Sequence, residues 1–162
     1  LNPCKCGYYG DGSDRCRCTE TEIRKYLSKL SGPMLDRIDI QLEASPVKYA
    51  DLKAMKGESS QDIKKRVNAA REIQKERYKN EAITTNSQLS GSLIEKYCAI
   101  GENENRMLKN AFDSLGLTAR AYTRILKVAR TIADLEGSES IQSHHVAEAI
   151  GYRNMDRASW GN

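Results

Sequence analysis

Thr118-Ala119-Arg120-Ala121-Tyr122-Thr123-Arg124-Ile125-Leu126-Lys127-Val128-Ala129-Arg130-Thr131-Ile132-Ala133-Asp134-Leu135 is the stretch that settles the fold class. Tyr122, Ile125, Leu126, Ala129, Ile132 and Ala133 recur at the spacing of one helix face, so 119–135 reads as an amphipathic helix with those six side chains inward. The Thr118 hydroxyl stands where it can cap the first turn, and Gly137 ends the run. Such an apolar stripe needs other helices to cover it. Downstream, Ser143 is expected to cap a last helix carrying Val146, Ala147 and Ile150. Upstream, Met107, Leu108, Ala111, Phe112 and Leu115 mark a helix over 103–115, broken by Gly116, and a shorter one is expected near 92–98. The polar residues 80–91 read as a loop. Before them a long helix is expected from about Gln61 to Lys79, with Ile63, Val67, Ala70 and Ile73 inward. The reading is a helical domain over 59–153, with a polar tail at 154–162.

The first 45 residues have a different grammar. Residues 1–18 form a loop rich in Gly and Cys, without helical or strand period. Thr19-Glu20-Thr21-Glu22 fits a capping box, and Ile23, Tyr26, Leu27 and Leu30 follow on one face of a short helix that Ser31-Gly32-Pro33 stops. Ile38-Asp39-Ile40-Gln41-Leu42-Glu43 alternates strictly, which predicts a strand with one buried face. Residues 46–58 are expected to be a linker.

Composition narrows the function. Across 162 residues, 39% are hydrophobic and 30% charged, and 26 Lys+Arg against 22 Asp+Glu leave a net charge of +4. That excess permits contact with phosphate without demanding it. No apolar run approaches the roughly 18 residues of a membrane span, and no signal-peptide pattern opens the chain, so a cytoplasmic location is expected. The chain starts at Leu1, which suggests a piece of a longer protein. Five cysteines in such a chain point to metal or free thiols before disulfides. Cys4-Lys5-Cys6 and Cys16-Arg17-Cys18 bring four thiols into one short loop, a candidate Zn²⁺ site that would order a segment too polar to build a core. Their spacing is tighter than that of a standard zinc finger, and a reduced metal-free loop or disulfides are the alternatives. Cys98, alone, reads as a buried thiol. His144 and His145 read as surface residues.

The runs Asn2-Pro3-Cys4-Lys5-Cys6-Gly7-Tyr8-Tyr9-Gly10-Asp11, Cys16-Arg17-Cys18-Thr19 and Leu30-Ser31-Gly32-Pro33-Met34-Leu35-Asp36-Arg37-Ile38-Asp39, together with 118–135 and 141–153, resemble the magnesium-chelatase-like AAA+ ATPases of bacteria, the YifB/ComM family. The resemblance implies a mainly α chain: the remnant of an AAA+ α/β core in 1–45, then a helical-bundle lid. It also implies a motor that binds ATP and Mg²⁺, assembles as a homo-oligomeric ring and is linked to DNA processing (helicase or branch-migration work in competence). Arg37 matches the arginine finger that reaches a neighbouring subunit's nucleotide, Arg120 the lid's sensor-2 arginine, and Asn2 the sensor-1 polar residue. A local ion pair of Arg37 with Asp36 or Asp39 is the plain alternative, as is a frayed terminus for Asn2.

Arg120 has a physical argument of its own. It falls in the first turn of its helix, where the dipole disfavours a cation but favours an anion arriving beside one. None of the 11 glycines is followed by Lys, so the chain holds no phosphate-binding GxxxxGK[ST] loop and is not expected to hydrolyse ATP alone. The 61–79 helix carries seven basic residues against three acidic ones, a face that touches DNA phosphates or, more commonly, only solvent. Two other functions fit: a zinc-stabilised helical binding module, and the motor subunit of a metal chelatase.

Overall fold

A computed structural model describes residues 2–44, 47 and 57–153. The expected tail at 154–162 and nearly all of the expected linker lie outside the described residues. The helices are α1 (Glu20–Leu27), α2 (Gly32–Leu35), α3 (Ser60–Arg77), α4 (Ser92–Tyr97), α5 (Glu102–Leu115), α6 (Ala119–Glu136) and α7 (Ser143–Gly151), with a 3₁₀ turn at Asn86–Gln88. Contacts divide the described residues into two units, one within residues 1–55 that also takes in Arg153, and one within 56–152.

The second unit is a helical bundle centred on α6, which packs against α7, α3, α4 and the 3₁₀ turn, while α5 packs on α7. Its boundaries follow local chemistry. Thr118 accepts the Ala121 N–H at 3.2 Å, and Gly137 closes α6 in the left-handed region at φ 77°. Ile125, Leu126, Ala129 and Ala133 are buried as the periodicity requires, and join Tyr78, Leu89, Ile94, Cys98, Leu108, Ile141 and Val146 in one core.

Three expectations fail here for identifiable reasons. Ile63, Val67 and Ile73 on α3 are 41, 41 and 37% exposed. Ala70 is buried as expected, but Gln74 and Arg77 share its inward face, because buried polar partners wait for those two. The Asn86 N–H donates to Gln74 Oε1 at 3.3 Å, and Arg77 meets Asp134. Ser143 does not cap α7; its hydroxyl donates to Glu104 on α5. The imidazole of His145 caps instead, its Nδ1 accepting the Gln142 N–H at 2.9 Å. His145, expected at the surface, is therefore fully buried, whereas His144 is exposed.

The polar heart of the bundle is Asp134, 2% exposed. Arg77 clamps it from α3, with Nη1 at 2.9 Å from Oδ2 and Nη2 donating to Oδ1. Arg130, one turn back on α6, donates Nε–H to Oδ1 at 3.1 Å and spends its remaining donors on the carbonyls of Ser138 and Glu139. Asn86 donates to Asp134 Oδ2 at 2.8 Å and accepts the Tyr78 hydroxyl at 2.6 Å. A buried carboxylate is tolerated when its lone pairs are filled this way.

In the first unit, α1 starts at the capping box: Thr19 N–H donates to Glu22 Oε2 at 2.9 Å and Glu22 N–H to Thr19 Oγ1 at 3.3 Å. Ile23 and Leu27 pack on Cys4 in a small core flanked by Cys16, Cys18 and Tyr26. The alternating segment 38–43 is not a strand, and no strand occurs among the described residues. Ile38, Ile40 and Leu42 are 39, 49 and 71% exposed. With no neighbouring strand to satisfy its backbone, period-two patterning alone does not make a ladder. Arg153 instead holds this segment's start, donating to the Ile38 carbonyl at 2.8 Å and to Asp36 at 3.3 Å.

Replacing Asp134 with Ala leaves the buried Arg130 and the partly buried Arg77 guanidinium groups without their anion. The expected loss is about 3–5 kcal/mol of stability, read by guanidinium unfolding followed by far-UV circular dichroism.

Candidate metal centre and arginine positions

Cys4 Sγ lies 3.3 Å from Cys6 Sγ and 3.8 Å from Cys16 Sγ, and Cys6 and Cys16 are 3.7 Å apart. With Cys18, all four sulfurs fall within 4.8 Å of one another. Four thiolates bound tetrahedrally to zinc at about 2.3 Å would be separated by about 3.8 Å. The loop thus gathers its sulfurs at nearly the edge length of a zinc tetrahedron. Gly7, Gly10 and Gly12, with φ of 86°, 77° and 75°, make the reversals that let two Cys-x-Cys pairs face each other. None of the five cysteines is in a disulfide.

The sulfurs do not share one proton affinity. Burial raises Cys4, but the Cys6 side chain and the backbone N–H groups of Tyr9, Gly7 and Cys6 outweigh it and bring Cys4 down to about 6. The Cys18 N–H favours the Cys16 thiolate, yet burial and the neighbouring Cys6 and Cys4 sulfurs prevail and push Cys16 up to about 11. One thiolate thus resists the next, and a divalent cation removes that resistance by deprotonating the set on binding. Cys98 shows the contrast: buried, far from this loop in sequence, its thiol is pushed up to about 11 by burial.

Glu136, His144 and His145 form a second group of three donors within 4.8 Å. Its hydrogen bonding argues against a metal. His145 Nδ1 already accepts the Gln142 N–H, so the ring proton of the neutral imidazole sits on Nε2, where it is donated to Glu136 Oε2. His144 Nε2 meets the same oxygen at 2.7 Å. The trio is a clamp joining the C-terminus of α6 to the N-terminus of α7.

The nucleotide-facing candidates are all exposed. Arg37 follows α2, and Asn2 precedes the cysteine loop. Arg120 is the second residue of α6, and the first turn of that helix holds no acidic residue to neutralise it. Asp36, one suggested partner of Arg37, is engaged by Arg153. Arg37 and Asn2 lie in the first unit and Arg120 in the second. Sequence reasoning missed the His–Glu clamp and the set Arg77, Arg130, Asp134 and Asn86. The i, i+4 spacing of Arg130 and Asp134 was the available signal. On α3 and its flanks, Lys65, Arg66, Lys75 and Lys79 pair with Asp62, Glu58, Glu72 and Glu76, which neutralises most of this basic face.

Residues 57–153 match the family described as magnesium chelatase, subunit ChlI C-terminal, and residues 1–52 match magnesium chelatase, subunit ChlI. The chain belongs to the magnesium chelatase family. Among relatives of this magnesium chelatase-family chain, protein YifB of Salmonella typhimurium is 43% identical, competence protein ComM of Haemophilus influenzae 40% and YifB of Escherichia coli 39%. Each similarity spans 97% of this chain and 30% of the relative, so the chain covers about a third of their length. Among the described residues no helix is long and apolar enough to cross a membrane.

The clamp carries a pH signature. The His144 and His145 hydrogen bonds hold the Glu136 carboxyl below its ordinary range. A carboxyl depressed in the folded state contributes stability above its unfolded pKa of about 4.3, and that contribution fades as pH falls through the folded value. Glu136→Gln should therefore be less stable than the parent at pH 7, with the gap narrowing below about pH 4. Urea unfolding at the two pH values checks this.

Proposed function

We propose that this chain is the sensor, finger and lid portion of an ATP-driven motor acting on DNA, with a structural Zn²⁺ held by Cys4, Cys6, Cys16 and Cys18. The observation that carries the motor reading is the N-terminus of α6. There Arg120 sits exposed on the positive end of a capped 18-residue helix with no acidic residue in its first turn. Backbone N–H groups, dipole and guanidinium would converge on one anion, as a nucleotide phosphate requires. In this reading Arg120 acts on nucleotide held by its own subunit. Arg37 reaches across a ring interface to the neighbour's γ-phosphate, where a fork of fixed charge stabilises the transferring group. Asn2 orients the attacking water. The ATP and Mg²⁺, the ring and the DNA substrate belong to the whole protein, and the name of the ComM relative points to competence as the setting.

Zinc, when bound, supplies four metal–sulfur bonds and no chemistry on the nucleotide. Its place is structural, because among the described residues of the first unit the buried apolar cluster is Cys4, Ile23 and Leu27. The 162-residue chain should carry about one equivalent of zinc by elemental analysis. Chelation should raise amide exchange in residues 2–18 while leaving the bundle protected. Protein purified under reducing conditions with zinc supplied, yet free of metal, overturns the zinc reading.

In the full-length protein, Arg37→Ala should retain ATP binding and lose hydrolysis by roughly 10³–10⁵, the range measured for finger arginines. Mixing it with a variant defective in the phosphate-binding loop should restore part of the activity, since each subunit supplies what the other lacks at one interface. Normal turnover by Arg37→Ala overturns the finger assignment, and the 162-residue chain alone should show none.

A further inference from the structure

We propose that the cavity between α3, the 3₁₀ turn and α6 is a docking site for an acidic protein segment. One carboxylate-bearing side chain enters on Arg71 and Gln74, and its aliphatic neighbours seat on Ile63, Val67 and Leu135. The site lies within the helical unit and is independent of the zinc and nucleotide readings.

The cavity measures about 250 Å³. That is below the roughly 300–1,000 Å³ of a drug-sized ligand site and is scaled to a side chain. Its polar lining sorts into groups already spent and groups still free. Asn86 is spent: its Nδ2 hydrogens go to Thr131 Oγ1 at 3.0 Å and to Asp134, and its Oδ1 accepts from Tyr78 and Arg77. Thr131 is spent too, because its own hydroxyl donates to the Lys127 carbonyl at 2.8 Å. Gln74 is not. Its Oε1 accepts the Asn86 N–H, which fixes the amide so that the NH₂ end is the one left for the cavity. The residue is 4% exposed, and among the described residues nothing accepts from its Nε2. A buried donor left without an acceptor is costly, and an acceptor brought in by a partner removes that cost. Arg71, on the same face of α3, stands exposed at the cavity's edge. It meets no carboxylate among the described residues, whereas Lys65, Arg66, Lys75 and Lys79 are each paired. Among the described residues, none that lines the cavity is acidic. A guanidinium fork and an amide N–H without a counter-charge select a carboxylate.

The surroundings decide what carries that carboxylate. Val67 and Leu135 wall the cavity, yet both side chains are exposed. Ile63, one turn before Val67 on the same face of α3, is exposed as well and lies outside the lining. A free small acid fills the cavity and leaves that apolar row in water. A segment with aliphatic residues on either side of its acidic one covers the row while the carboxylate is bound, an apolar contact around a polar anchor.

The test titrates the ¹⁵N-labelled 162-residue chain with the blocked peptide acetyl-Leu-Glu-Leu-amide and follows the amide spectrum. The Gln74 side-chain amide pair and the backbone amides of Thr85 and Ser87 should shift saturably, while those around Arg120 stay where they were. The uncharged isostere acetyl-Leu-Gln-Leu-amide, and free pentanoate, should each bind more weakly by about tenfold or more. Arg71→Gln changes an exposed side chain with no ion pair to lose, so its unfolding midpoint should match the parent's. It should bind the Glu peptide no better than the parent binds the Gln isostere. Leu135→Ala, also at an exposed side chain, should weaken both peptides. Absence of a saturable shift at Gln74, equal affinity for the two peptides, or parental binding by Arg71→Gln overturns the proposal. Shifts centred on Arg120 overturn it as well, since the anion then sits at the N-terminus of α6. Pentanoate binding as tightly as the Glu peptide overturns the protein-segment reading in favour of a small-acid site.

Discussion

A carboxylate with no access to water holds the helical unit in register. Asp134 is buried at the end of α6, and every partner it has comes from somewhere the fold must deliver: Arg77 from the last turn of α3, Asn86 from the 3₁₀ turn, Arg130 from one turn earlier on α6. An isolated charge there is prohibitively costly, so the arrangement forms with all partners or not at all. Arg130 extends the constraint beyond the helix, because its other donors hold the Ser138 and Glu139 carbonyls and so fix the exit toward α7. The His–Glu clamp adds a second tie at the same junction. Both lie at the C-terminal end of α6. Arg120 stands near the other end, fourteen residues before Asp134 and so about 21 Å away at 1.5 Å per residue. A rod anchored at one end is a suitable mount for the phosphate contact proposed for Arg120 at the other.

The first unit is stabilised by different means. Among its described residues the buried apolar set is small, its loop is polar and its sulfurs lie within a few ångströms of one another. Where a small segment cannot bury enough apolar surface to offset chain entropy, covalent or metal cross-links substitute. The coupled proton affinities of Cys4 and Cys16 are the electrostatic counterpart of that arrangement, since thiolates packed this closely repel unless a cation lies among them. With zinc bound as proposed, the two units would respond to different perturbations, charge removal in the helical unit and chelation in the first.

Local chemistry made much of this legible in the chain itself. Thr118, Gly137, Thr19 and Glu22 mark helix ends through groups that act within four residues of one another, and the structure puts the ends where those residues place them. The apolar stripe of α6 and the clustering of Cys4, Cys6, Cys16 and Cys18 were equally readable, because period and spacing are properties of the sequence. Arg37, Arg120 and Asn2 were readable only as residue types, and their roles on nucleotide remain the proposal made above.

What only the tertiary structure decided was which polar residues go inside. Gln74 and Arg77 displaced Ile63, Val67 and Ile73 from the buried face of α3, because Asn86 and Asp134 offered buried partners that no local window contains. His145 went inward because a backbone N–H and a carboxylate from the preceding helix satisfied both of its nitrogens. The alternating segment at 38–43 took no ladder because pairing needs a second strand, which the described residues do not supply. A sequence specifies which groups a chain carries and how its near neighbours repeat. Whether a polar group can be buried depends on a partner arriving from far along the chain, and that is settled only when the helices pack.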